Sequence, residues 1–208
     1  SKKKYQSNYI DPNLIAVSKT FPEKDIQVLI DQGHKIFGEN KVQEAELKWE
    51  NIKNINKDRA LELHLIGPLQ SNKVNKALEI FDVIQTLDRE KIALKIRNYF
   101  DNNQAIRCSK FLVQINIGNE VQKSGVNIEH TKEFVEWCTK DLKLEIIGLM
   151  CIPPVSKEPS YFFSQTRKLC DELNLKHASM GMTSDFQKAI QNGSTFIRVG
   201  SGIFGSRN

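Results

Sequence analysis

The chain has 208 residues, of which 39% are hydrophobic and 26% charged, with a net charge of +5. This size fits one ordinary domain, residues 1–208, that buries its own core without disulfide or metal staples, and no apolar run approaches the roughly 20 residues that span a bilayer. Its 30 Lys and Arg are interspersed with 25 acids rather than gathered in a stripe with aromatics, which argues against a nucleic-acid partner.

In chain order, the opening Ser1-Lys2-Lys3-Lys4-Tyr5 is basic but lacks the apolar segment and small-residue cleavage site of a secretory leader. The first predicted strand runs over Asn13 to Ser18 and is followed at once by Lys19, Thr20, Phe21 and Pro22. Helical spacing then appears at Ile26, Leu29 and Ile30. Further strands are predicted at Lys35 to Gly38, Glu62 to Gly67, Val83 to Leu87, Phe111 to Ile117, Glu145 to Met150, His177 to Met180 and Thr195 to Val199. Between them, Ile92, Ile96, Tyr99 and Phe100, and later Phe186, Ala189 and Ile190, carry helical periodicity. Asn40 with Gln43 and Ser184 with Gln187 fit the N-cap pattern, Ser71 and Asp88 are candidate single caps, and Gly193 is placed to end a helix.

Strands alternating about eight times with helices, without a linker or composition shift, predict an α/β fold: a single (β/α)8 TIM barrel. An open doubly wound sheet is the alternative. Against it, no G-x-G-x-x-G follows the first strand, and Gly67-Pro68-Leu69-Gln70 does not match a P-loop. Cys108, Cys138, Cys151 and Cys170 lie far apart without a C-x-x-C pair, which suits buried free thiols in a reducing cytoplasm. His34, His64, His130 and His177 show no ligand spacing, so no metal site is expected.

In such a barrel, chemistry sits at the carboxyl end of the strands, and phosphate is commonly held after strands seven and eight. Lys19 ends a strand composed for burial, so its amine must either snorkel to solvent or serve a site. Desolvation there would free it as a nucleophile for an aldehyde. Strand seven runs into Ser179-Met180-Gly181-Met182-Thr183-Ser184, and strand eight into Gly200-Ser201-Gly202-Ile203-Phe204-Gly205. Small, hydroxylated and glycine residues there let backbone amides approach an anion. Arg198 interrupts the last apolar strand, where a guanidinium needs an ion-pair partner, a ring nitrogen or a phosphate. Asn40 lies at the same rim.

Ala16-Val17-Ser18-Lys19-Thr20, Phe37-Gly38-Glu39-Asn40-Lys41-Val42-Gln43-Glu44, His64-Leu65-Ile66-Gly67-Pro68-Leu69-Gln70-Ser71-Asn72-Lys73, Gly148-Leu149-Met150, Ser179-Met180-Gly181-Met182 and Ile197-Arg198-Val199-Gly200 closely resemble the motifs of the pyridoxal phosphate homeostasis (YggS/PROSC) family, which has an alanine-racemase-like barrel. The resemblance runs from about residue 13 to the end. It implies pyridoxal 5'-phosphate as cofactor, held by Lys19 as a Schiff base, with Arg198 facing the pyridine nitrogen. A cation there leaves that nitrogen unprotonated and weakens the electron sink that carbanion chemistry uses. The resemblance further implies that Gly200 and Ser201 amides, with Ser179 and Thr183, hold the phosphate, while Asn40 and Met150 flank the ring. Lys123, in Asn119-Glu120-Val121-Gln122-Lys123-Ser124-Gly125, matches a further family motif near the mouth.

Two departures stand out. The family usually has a longer helix before the first strand, and the last motif reads Ser201-Gly202 where Thr-Ala is usual, an extra glycine expected to loosen the phosphate loop. The expected function is binding, buffering or delivery of the cofactor, with apo enzymes as possible recipients, no catalytic residue assigned, and a monomer by default. The rival is a racemase using the same cofactor, which needs a second acid/base group opposite Lys19. Tyr5, Tyr9, Tyr99 and Tyr161 all fall outside the predicted rim loops.

Overall fold

A computed structural model describes residues 11–103 and 106–205; the basic start of the chain, with Tyr5 and Tyr9, lies outside them. Eight parallel strands close into a barrel: β1 (Asn13–Val17), β2 (Ile36–Glu39), β3 (Glu62–Leu65), β4 (Val83–Leu87), β5 (Lys110–Asn116), β7 (Glu145–Cys151), β8 (His177–Met182) and β9 (Phe196–Val199). A two-residue β6 (Val126–Asn127) hangs on the outer end of β5. Closure rests on the pairing of β1 with β9 and of β4 with β5. The predicted barrel is therefore the observed one. Its strand limits differ by one or two residues from the sequence expectation, and β6 was not foreseen because two residues carry no periodicity.

Helices α1 (Glu23–Asp31), α2 (Val42–Ile55), α3 (Val74–Ile80), α4 (Glu90–Asn102), α5 (Ile128–Lys140), α6 (Pro159–Glu172) and α7 (Phe186–Gln191) cover the barrel, and a single turn, α8 (Ser201–Phe204), follows β9. Their apolar stripes fall inward as the spacing requires. Ile26 and Ile30 of α1, Ile92, Ile96 and Tyr99 of α4, and Ala189 of α7 are buried. The main core lies between strands and helices, around Phe37, Trp49, Phe81, Phe111 and Phe163. A smaller apolar cluster, Ile15, Val83, Leu112, Met150 and Phe196, fills the barrel itself. Polar His64, Gln85, Ser179 and Arg198 are buried with it.

Helix ends show which local signals survived. Gly193 sits at φ 80°, with its N–H donating to Ile190 O and that of Ser194 to Ala189 O, so the expected glycine stop of α7 is a Schellman motif. The expected N-caps are corrected. Helix α2 starts after Lys41, α7 after Asp185 and α4 after Arg89, none with a side-chain cap, and Ser71 opens a 3-10 turn before α3. Asn40 and Ser184 instead line the cavity at the rim. All four cysteines are buried and free.

Gly193→Ala adds a Cβ to a left-handed residue and sets it 3.0 Å from Arg167 Cδ. Urea unfolding should show a loss of about 1–2 kcal/mol, the cost of an L-residue in that region.

Candidate functional site

At the carboxyl rim, the ends of β1, β2, β3, β7, β8 and β9 surround a cavity of about 480 Å³, within the roughly 300–1,000 Å³ typical of small-molecule sites. Six of the eight residues expected at the site line it: Lys19, Asn40, Thr183, Arg198, Gly200 and Ser201. The other two do not. Met150 is fully buried in the apolar plug inside the barrel, and Ile152 takes the wall position expected of it. Ser179 is also fully buried, and its hydroxyl serves Arg198 and Gln85 rather than the cavity. Depth along the strands explains both: Met150 and Ser179 point into the barrel interior, the face that also carries Ile152 and Arg198, but sit further from the rim.

The backbone at Lys19 is held from behind. Glu39, the last residue of β2, is fully buried, and its Oε1 accepts from Ser18 Oγ at 2.7 Å and Trp49 Nε1 at 3.0 Å. Lys48 of α2 reaches the same oxygen at 2.7 Å and donates to the carbonyl oxygens of Ser18 and Phe21. A buried ion pair thus ties α2 to the residues on both sides of Lys19. Thr20 follows at φ 66°, a left-handed conformation unfavourable for a β-branched residue, and its N–H donates to Glu44 Oε1 at 2.5 Å. Strain of this kind persists only where the surroundings over-determine it. Phe21 then stacks on Phe204 of α8, centroids 4.7 Å apart, joining the Lys19 loop to the loop after β9.

The loops after β8 and β9, next to β1 in the barrel, carry Thr183, Ser184, Gly200 and Ser201 of the lining. Ser201 Oγ lies 3.4 Å from Thr183 Oγ1, which brings the loops after β8 and β9 together as expected. The unusual Gly202 lies inside the α8 turn, and a Cβ there would come 2.9 Å from Val199 Cγ1. Glycine therefore lets α8 pack closely on β9 rather than loosening it. Gly181, at φ 92°, likewise lets α7 approach β8, since a Cβ would meet that of Ala189 at 2.5 Å.

Arg198 is 4% exposed and forms part of the cavity lining. Its Nη1 donates to Ser179 Oγ at 2.7 Å and its Nη2 to the Cys151 carbonyl at 2.9 Å. Burial pulls its pKa below the usual arginine value, opposed by Cys151 and Asp185. Among the described residues, Lys19 and Arg198 are the charged ones in the lining. Val17, Ile66, Ile152 and Met182 supply apolar walls that the sequence did not single out. A strand-end position next to a motif residue was the available signal for each. Lys123 is held by Glu120 at 2.6 Å and by the Pro153 carbonyl, outside this lining.

Gly67 explains why the His64 to Lys73 motif needs its glycine. A Cβ at Gly67 would stand 2.1 Å from the Asn40 carbonyl oxygen, and Thr86 Oγ1 pins the Gly67 carbonyl at 2.8 Å. Gly67→Ala must therefore displace the Asn40 segment, and ligand titration should show weaker binding together with a lower Tm. Lys48→Ala leaves Glu39 buried without its cation, and chemical denaturation should report a loss of about 3–5 kcal/mol.

Comparisons with known proteins agree with this geometry. Residues 5–208 match the family model described as "Alanine racemase, N-terminal domain". The chain is 37% identical to the pyridoxal phosphate homeostasis protein of Aquifex aeolicus, covering 93% of this chain and 86% of that protein. It is 39% identical to the protein of the same name from Vibrio cholerae, covering 94% and 85%. Among solved structures it is similar to PipY of Synechococcus elongatus, without PLP (TM-score 0.85, 33% identity, 93% of each chain) and with PLP bound (TM-score 0.82, 32% identity, 93% and 92%). An alanine racemase of Clostridium difficile shares the fold at TM-score 0.68 and 15% identity, with 96% of this chain covering 53% of that one. By sequence and by barrel alike, the chain belongs to the family of the pyridoxal phosphate homeostasis proteins.

Proposed function

We propose that residues 1–208 act as one domain that holds pyridoxal 5'-phosphate reversibly, for buffering or delivery of the cofactor, rather than as a racemase. The observation that carries this is the charge pattern of the rim cavity. Among the described residues, Lys19 and Arg198 are the charged groups of its lining, beside the hydroxyls of Thr183, Ser184 and Ser201, Gly200 and the apolar Val17, Ile66, Ile152 and Met182. That donor set fits a phosphate ester joined to a flat aromatic ring: Gly200, Ser201 and Thr183 take the anion, Val17, Ile66, Ile152 and Met182 shelter the ring, and Asn40 borders it. The cofactor supplies an aldehyde that a primary amine captures reversibly, and Lys19 presents that amine.

The protein's own residues favour retention over turnover. Arg198 brings positive charge to the cavity floor, where a cation disfavours a protonated ring nitrogen and so weakens the electron sink that carbanion chemistry uses. Racemisation also needs a second acid/base group facing Lys19. Among the described residues, Tyr99 is buried in α4 and Tyr161 lies exposed on α6, and neither lines the cavity. Consistent with a carrier, the relatives are named homeostasis proteins, and PipY has been solved with PLP bound. Apo enzymes that use this cofactor are the natural recipients. The barrel is read as acting as a monomer inside the cell, and no helix among the described residues is long and apolar enough to cross a membrane.

Incubation with pyridoxal 5'-phosphate, borohydride reduction and peptide mapping should place one cofactor on Lys19. Lys19→Ala should lose both that adduct and the visible absorbance band. An unchanged band in the variant, or steady turnover of D- or L-alanine by the wild type, refutes the proposal.

A further inference from the structure

Beneath the cavity a file of polar groups crosses the barrel. Arg198 Nη1 donates to Ser179 Oγ at 2.7 Å, Ser179 Oγ donates to Gln85 Oε1 at 2.6 Å, Gln85 Nε2 meets His64 Nδ1 at 2.7 Å, and His64 Nε2 meets Glu62 Oε1 at 2.5 Å. The first four side chains are buried, three of them completely, and only Glu62 reaches solvent, at the opposite mouth of the barrel. Ser179 and Gln85 are 94 residues apart in sequence.

The chemistry of these groups fixes a direction. Arginine can only donate, so Ser179 accepts from it and has its one hydrogen left for Gln85. Gln85 therefore presents Oε1 to Ser179 and Nε2 to His64, whose Nδ1 must accept. His64 then carries its hydrogen on Nε2 and gives it to the Glu62 carboxylate. Every bond points the same way, from Arg198 to Glu62. Such chains polarise their members in a low-dielectric interior. The hydrogen bond from His64 is also the largest influence lowering the Glu62 pKa. The pairing of β4 with β5 slips register between Ile84 and Leu87, around Gln85, and that of β8 with β9 slips between Ser179 and Met182. Irregularities of this kind re-aim side chains beside functional sites.

We propose that Gln85 and His64, anchored by Glu62, are positioning residues that orient Arg198 toward the ligand and deliver to it, through Ser179, the influence of a carboxylate on the far side of the barrel. This rests on the cofactor-binding function above. It assigns a role to residues that line no part of the cavity.

Two substitutions at one position separate orientation from packing. Gln85→Leu keeps the volume and removes the acceptor for Ser179, whereas Gln85→Glu keeps that acceptor and draws a proton onto His64 Nδ1. Positioning predicts that Leu weakens pyridoxal phosphate binding about tenfold, the scale of one buried hydrogen bond to a charged group, and shifts the visible band, while Glu stays within about threefold of wild type by the same scale. A packing role predicts the reverse order, because leucine suits an apolar interior and a carboxylate does not; that order, or equal binding by all three proteins, overturns the proposal. In the ligand-free protein, 15N NMR should find His64 as the Nε2–H tautomer in the wild type and protonated on both nitrogens in Gln85→Glu, and an Nδ1–H wild-type tautomer overturns it without reference to the cofactor. Glu62→Gln, a change at the solvated mouth, removes the charge but leaves an amide oxygen to accept from His64 Nε2, so it should keep the Nε2–H tautomer while weakening pyridoxal phosphate binding, and binding equal to wild type refutes the role given to that carboxylate. Failure of the wild type to bind pyridoxal phosphate would refute the function proposed above instead, leaving the tautomer result to decide this inference.

Discussion

Arg198 carries a positive charge into the middle of a parallel barrel, where its N–H groups meet the Ser179 hydroxyl and the Cys151 carbonyl rather than a carboxylate. Desolvating such an ion costs roughly several kcal/mol, and dipoles repay only part of it. The interior is built around that cost. Gln85 and His64 occupy barrel positions that apolar residues would otherwise fill, and their hydrogen bonds end on Glu62 where the barrel opens to solvent. What remains of the charge is expressed at the floor of the rim cavity, where an anion or a ring lone pair is favoured.

Lys19 is positioned by a separate device on the outside of the barrel. The pair between Lys48 and Glu39 is sealed behind the strands, where its members also hold the Ser18 and Phe21 carbonyls and the Ser18 hydroxyl. With the backbone fixed on either side, Thr20 can be kept in a strained conformation. The stacking of Phe21 on Phe204 carries this rigidity to the turn after β9. Lys19 and the loop after β9 are therefore parts of one packed unit, which lowers the entropy lost when a ligand bridges them.

The same architecture separates holding a cofactor from exploiting it. A racemase and a carrier can share the lysine, the arginine and the phosphate loops. They differ in what faces the lysine across the ligand. The rim cavity provides cations, hydroxyls and apolar walls, which is what the carrier reading proposed above requires.

Alternation of apolar runs with amphipathic segments determined the barrel, because buried parallel strands and covering helices impose different periods on the chain. Motifs at strand ends likewise marked Lys19, Asn40, Thr183, Arg198, Gly200 and Ser201, since the topology of a parallel barrel sends all of those ends to one rim. Tertiary structure alone decided how deep along the inward face each residue sits. Depth put Met150 in the apolar plug and Ser179 beneath Arg198, although the sequence places both near the same rim. It also decided that Glu39 pairs with Lys48 and that Gln85 meets Ser179. Those contacts join residues far apart in the chain, and no local propensity or spacing encodes a hydrogen bond that exists only once the barrel has closed.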